Sequence, residues 1–203
     1  AAWTATVGMK PTYGRVSRSG LVAFSSSCDE IGPISASVED NARMLAVIAG
    51  RDPHDATTAD VPVPDFVASA SAGINGLRIG LPAEYLDDRV PEDLRRRVRR
   101  VAERLEQEGA VVRDCSLPLT RAVFPAYFLI ANAEASSNLA RYDGVRLGAA
   151  ADADGLHDRY VRSRIEGFGR EVQRRIMLGN YVLSGGHEQD WYGRAQRVRR
   201  LVR

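Results

Sequence analysis

Cysteine and histidine are scarce in this sequence. Cys28 and Cys115 are its two cysteines, and His54, His157 and His187 stand far apart. Neither a Cys-x-x-Cys nor a His-Glu-x-x-His spacing occurs, so no zinc site is expected. Two isolated cysteines make no disulfide framework, and a reducing compartment, the cytoplasm, is the expected location. No apolar run approaches the roughly 20 residues of a membrane span, and no secretory leader is visible, so no membrane association is expected. An excess of one charge is missing too: 28 basic residues face 26 acidic ones for a net charge of +2. Composition therefore argues neither for nor against nucleic-acid contact. Against these absences stand 203 residues, 44% hydrophobic and 27% charged, which is the balance of a globular domain able to bury a core.

The chain opens Ala1-Ala2-Trp3 and runs straight into Val7-Gly8-Met9-Lys10-Pro11. With no Met and no basic leader, this reads as the middle of a fold, and residues 1–203 are expected to be an internal fragment of a single domain. Residues 1–36 are rich in Gly, Ser and Pro, with Gly20 to Phe24 as a short strand or buried loop and Ser25-Ser26-Ser27 and Gly32-Pro33 as turn chemistry. A helix is predicted over 38–49. Ser37 is its N-cap, Asp40 sits three residues on as in a capping box, and Gly50 stops it. Residues 51–73 form a long connection in which Pro53, Pro62 and Pro64 forbid regular helix.

A strand–helix–strand unit follows. Residues 77–81 alternate as a short strand. Pro91 suits a helix start, and Leu94, Val98, Val101, Ala102 and Leu105 recur at helical spacing up to about 108. Gly109 then caps the helix, and 110–112 opens a second strand. This βαβ grammar predicts parallel pairing. The remainder reads as helices over about 120–140, 155–166, 169–183 and 188–203.

Chemistry is harder to place. Ser25, Ser26, Ser27 and Cys28 lie together beside Asp29, but no activating base is adjacent and no Gly-x-Ser-x-Gly elbow exists. A polar turn leading to Gly32-Pro33 is the favoured reading. Arginines crowd two helices, at 95–100 and at 194–203. A basic helix can bind phosphates, but Glu92, Asp93, Glu103, Glu106 and Glu108 dilute the first run, and a solvated face is favoured there. The segment from Ala133 to Arg146 is dominated by small residues and ends near Gly144. It fits either close helix packing or close approach of a ligand, and spacing does not choose.

The run Val7 to Arg18, then Gly20 to Phe24, Asp29 to Pro33 and Ser37 to Asp40, resembles the segment that follows the amidase signature. Three further stretches, Asp60 to Phe66, Ala133 to Gly148 and Glu166 to Gly179, are similar to the glutaminase (A-type) subunits of tRNA-dependent amidotransferases. The resemblance covers essentially the whole chain. It implies an α/β fold, part of a mixed β-sheet flanked by many helices. It also implies a glutaminase that releases ammonia for ATP-dependent transamidation of misacylated Glu-tRNA or Asp-tRNA during translation. The alternatives are a stand-alone amidase on small amides and a catalytically inactive interaction module.

That family uses a nucleophilic Ser, a bridging Ser held by a cis peptide, a Lys base and an oxyanion loop. By the resemblance all of these precede residue 1, so no catalytic residue is assigned here. Two substrate-binding residues carry over: Tyr127, which helps close the glutamine pocket, and Arg175, which contacts the amino-acid part of glutamine, with Arg174 as the fallback. Arginine suits bidentate recognition of a carboxylate. No cofactor is expected in this chain. ATP and Mg²⁺ are expected on a partner subunit, and B and C subunits, glutamine and misacylated tRNA are the expected partners. One departure stands at His187-Glu188, where the family has a Tyr-rich stretch; Trp191-Tyr192 keeps the aromatic character.

Overall fold

The computed structural model describes residues 1–186 and 188–203, which fall into two compact units. The first unit comprises Ala1–Ser17 and Ile31–Thr120; the second comprises Arg18–Glu30 and Arg121–Arg203. Both helices and short sheets are present, an α/β composition.

In the first unit, β1 (Val7–Gly8) pairs antiparallel with β2 (Ile34–Ser35). The next helix, α1 (Val38–Ile48), begins where expected: the Ser37 side chain accepts the Asp40 N–H, and Asp40 Oδ2 takes the Ser37 hydroxyl at 2.7 Å. Leu45 buries its side chain, and Asn41 donates Nδ2 to the carbonyls of Val7 and Pro33, both at 3.1 Å, fastening α1 to the small sheet. The connection over 51–73 holds a short helix that the prolines argue against, α2 (Phe66–Ala70). It starts soon after Pro64 because the Asp65 carboxylate caps the Ala68 N–H at 2.9 Å, which satisfies an otherwise orphan donor.

The strand–helix–strand unit is β3 (Arg78–Pro82), α3 (Glu92–Gln107) and β4 (Val111–Cys115), with β3 and β4 parallel from Arg78↔Val111 to Pro82↔Cys115. The second strand opens at Val111, within the expected 110–112, and runs to Cys115. Gly109 lets the chain leave α3 at φ +97°, and a side chain there would run into Asn75. The Ala110 N–H closes onto the Leu105 carbonyl at 3.0 Å.

The second unit is almost wholly helical: α4 (Thr120–Leu139), α5 (Leu156–Gly167), α6 (Arg170–Leu183) and α7 (Gly193–Val202). The helix expected over 188–203 is divided, with a π-helical turn Glu188–Tyr192 ahead of α7. Ala126 and Ile130 of α4 and Ala195 of α7 form one buried cluster with Cys28 against it; Ala135 and Leu139 of α4 and Ile176 of α6 form a second, with Phe24 against it. The expected strand or buried loop at 20–24 is irregular backbone whose last residue, Phe24, is half-buried in that second cluster. Large apolar side chains also remain exposed, among them Val47 in the first unit and Phe124 and Met177 in the second.

Candidate functional site

The segment 24–29 is held from both sides within the second unit. The Asp29 carboxylate accepts the backbone N–H of Phe24 and of Ser25, each at 2.9 Å. From α4, Glu134 accepts the Ser25 hydroxyl at 2.8 Å, the Ser27 N–H at 2.9 Å and the Ser27 hydroxyl at 2.5 Å. One helical turn later on the same face, Asn138 donates Nδ2 to the Phe24 carbonyl at 3.1 Å and to Ser26 Oγ at 2.9 Å. Arg199 of α7 donates to Ser27 Oγ at 2.5 Å. The serines thus form the polar turn read from the sequence. The Ser25 and Ser27 hydroxyls are spent on a carboxylate that fixes backbone, and among the described residues no lysine or histidine is hydrogen-bonded to either.

A second grouping looks more catalytic and is not. In the first unit Ser17 donates to Asp52 at 2.6 Å, and His54 Nδ1 meets the other Asp52 oxygen at 3.0 Å. Here the carboxylate lies between serine and histidine. A nucleophilic triad needs the imidazole between them, where it can take the serine proton. The Ser17 hydrogen bond, foremost, and those from His54 hold the Asp52 carboxyl below its usual range.

The two residues singled out for substrate binding lie on α4 and α6. Tyr127 is on α4, partly exposed, with its ring 6.3 Å from that of Phe124. Arg175 is on α6, where Nε donates to Glu171 at 2.9 Å, one turn earlier. Its guanidinium carbon stands 5.9 Å from the ring centre of Phe24 and 6.0 Å from that of Phe128. The structure therefore brings Arg175 to the residue next to Tyr127 on α4. Arg174 also pairs with Glu171, at 2.9 Å, but its side chain is 71% exposed, against 29% for Arg175. Hydrogen bonds from Arg174 first and Arg175 second hold the Glu171 carboxyl below its usual value.

Close packing sets this geometry. Gly179 on α6 meets α4 at the Asn132 carbonyl, beside the small-residue stretch for which the sequence leaves packing and ligand approach as alternatives. Asn132 is fully buried and its Nδ2 donates back to the Phe128 carbonyl at 2.6 Å. The Phe128 ring in turn stacks on Phe124 at 6.2 Å and 24°.

Sequence reasoning assigns no role to Phe24, Phe128, Glu171, Glu134 or Asn138. The i, i+4 spacing of Glu171 and Arg175, and of Glu134 and Asn138, is a readable signal; the placement of Phe24 has none, because its partners are remote in the chain. The arginines of α3 are interleaved with acids, Arg95 pairing with Asp88 and Glu92, both at 2.7 Å. The departure at His187-Glu188 lies outside the described residues for His187 and for the Glu188 side chain. Among the described residues no group of three or more His, Cys, Asp or Glu side chains is disposed to hold a metal ion.

Comparison with known proteins places these features. The model of the Amidase family matches residues 1–203. Over its full length the chain is 54% identical to the A-type subunit of glutamyl-tRNA(Gln) amidotransferase from Shouchella clausii, and 51% identical to that from Methylorubrum populi. It spans 42% and 41% of those two proteins respectively. Among solved structures it is similar to the corresponding glutamyl-tRNA(Gln) amidotransferase subunit of Thermotoga maritima. That likeness has a TM-score of 0.69 at 37% identity and covers 97% of this chain and 38% of the other. The peptide amidase of Stenotrophomonas maltophilia gives 0.66 at 29% identity, covering 95% of this chain and 40% of the other.

Proposed function

The chain belongs to the amidase family, and from that premise we propose that it is part of the glutamine-hydrolysing subunit of a tRNA-dependent amidotransferase. The observation that carries this reading is the 54% identity to such a protein over the whole chain; among solved structures of comparable fold similarity, the corresponding subunit is 37% identical and a peptide amidase 29%. The apolar side chains left exposed in both units fit a piece that the rest of a larger protein covers.

In the proposed reaction water and glutamine yield glutamate and ammonia. A serine outside this chain attacks the side-chain amide carbonyl, ammonia leaves, and water releases the acyl group. This chain holds the substrate: Arg175 takes the α-carboxylate of glutamine through its terminal Nη groups, while Glu171 retains Nε, and Tyr127 closes the pocket beside it. The ammonia is passed to B and C partner subunits, which carry the ATP and Mg²⁺ chemistry and the misacylated Glu-tRNA or Asp-tRNA. The whole assembly works in the cytoplasm.

The test is to express the full-length protein with and without its B and C subunits and to measure ammonia release from glutamine and conversion of Glu-tRNA(Gln). Glutamine-dependent amidation of the tRNA only in the assembled complex supports the reading. Hydrolysis of peptide or simple amides by the protein alone, with no response to partner subunits or glutamine, overturns it in favour of a stand-alone amidase.

A further inference from the structure

An arginine that recognises a carboxylate must be held still. Its long side chain has many rotamers, and part of that freedom is lost each time it engages a ligand. Arg175 has its Nε fixed by Glu171, but that ion pair is shared with Arg174, and the Glu171 side chain is 53% exposed. Water screens such a pair, which contributes little to placing a side chain. The guanidinium also meets two aromatic rings, Phe24 and Phe128, both within 6.0 Å, the range in which a ring face attracts a cation.

Both rings are themselves fixed. The backbone N–H of Phe24 is bonded to Asp29 and its carbonyl to Asn138, and its ring packs against the cluster of Ala135, Leu139 and Ile176. Phe128 is held through its carbonyl by Asn132 and through its ring by Phe124. The turn 24–29 and the helix α4 thus present two rings, Phe24 and Phe128, to one guanidinium. Arg174, one residue earlier, is largely exposed.

We propose that Phe24 and Phe128 form an aromatic seat for Arg175: they are positioning residues that hold the guanidinium for an incoming α-carboxylate and thereby set the preference for amides bearing that group over uncharged amides. This rests on the reading of Arg175 as the carboxylate-binding residue. The seat leaves the reacting amide untouched, so its loss is expressed in ground-state binding of the carboxylate, as KM, before it is expressed in kcat.

The experiment uses the full-length protein with its partner subunits and compares kcat and KM for glutamine and for butyramide, which lacks the carboxylate. Phe24→Leu and Phe128→Leu, made singly, are each expected to lower the glutamine-to-butyramide ratio of kcat/KM about five- to tenfold, through the KM for glutamine. Phe24→Tyr, which retains the ring face, is expected to restore the ratio to within about twofold. Phe128→Leu carries the test alone if Phe24→Leu does not fold. A fall in step for both substrates, or a Phe24→Tyr variant as impaired as Phe24→Leu, means that the rings only pack and overturns the proposal. Arg175→Ala separates the two levels. If it leaves the ratio unchanged, the substrate reading itself fails; if it collapses the ratio while both leucine variants keep it, the seat alone fails.

Discussion

Gly179 of α6 lies against the carbonyl of Asn132 on α4 so closely that a Cβ at position 179 would stand 2.0 Å from the oxygen. Glycine in a helix interior is unfavourable by about 0.5–1 kcal/mol relative to alanine, so its presence here reflects the space available. Arg175 is one turn before it on the same helix. Gly179→Ala is therefore expected to do two things at once. It should destabilise the protein by about 1–3 kcal/mol, since backbone cannot yield as a flexible side chain would. It should also raise the KM for glutamine as α6 is pushed off α4. Chemical denaturation and glutaminase kinetics on the full-length protein read both; an unchanged denaturation midpoint would show that the two helices do not approach this closely.

The turn 24–29 offers a second test. Ser25 is only 2% exposed and its hydroxyl has Glu134 as acceptor. Glu134→Ala removes that acceptor and those of the Ser27 N–H and hydroxyl together, leaving buried donors unpaired at a cost of about 1–3 kcal/mol. Glu134→Gln keeps one acceptor oxygen and the shape, and should cost roughly half as much. Melting temperatures for both variants equal to that of the unaltered protein would mean that the Glu134 carboxylate does not hold the turn.

Where the sequence spoke clearly, it spoke through local rules. Ser37 and Asp40 announced α1, Leu94 to Leu105 announced α3, and Gly109 announced the exit toward β4. The short helix α2 escaped because its cap, Asp65, follows directly on prolines that argue for irregular chain. The incorporation of residues 18–30 into the second unit is beyond any local rule: it rests on hydrogen bonds accepted by Glu134 and donated by Asn138 and Arg199, all remote in the chain. The same is true of the candidate site. Tyr127 and Arg175 came from family resemblance, and the neighbours that give Arg175 its surroundings, Phe24 and Phe128, are legible only once the chain is folded.

Acid stability should report on Asp143, a buried residue only 5% exposed. Its carboxylate accepts the N–H of Arg146 at 2.9 Å, the N–H of Val145 at 3.0 Å and Arg146 Nε at 2.8 Å. These bonds, the backbone ones foremost, hold its carboxyl far below the ordinary 3.8. A carboxyl depressed on folding contributes stability that is complete above its unfolded value and is lost as pH falls from there through the folded value. Thermal unfolding followed from about pH 6 down to about pH 2 should therefore show a loss of stability below about pH 4 that is smaller in Asp143→Asn, because the amide has no proton to gain. Parallel pH profiles for the two proteins would refute the assignment.

Arg174 and Arg175 are adjacent, share Glu171 and are alternatives for one role, so they form an internal control. Removing Arg174 leaves the Arg175–Glu171 contact at 2.9 Å and both ring contacts in place. Removing Arg175 takes away the guanidinium at the rings and leaves Arg174 to keep Glu171 occupied. A charge-assisted hydrogen bond contributes about 1.5–3 kcal/mol, which corresponds to roughly 10- to 150-fold in binding. Arg175→Ala should lower kcat/KM for glutamine by about that factor, and Arg174→Ala by no more than about twofold, the scale of an exposed ion pair. Arg175→Lys should recover little, since a point charge reproduces neither the planar fork nor the stacking on the rings. Should Arg174→Ala prove the more damaging of the two, the carboxylate is bound one residue earlier, and the helix face assigned here to the substrate is the wrong one.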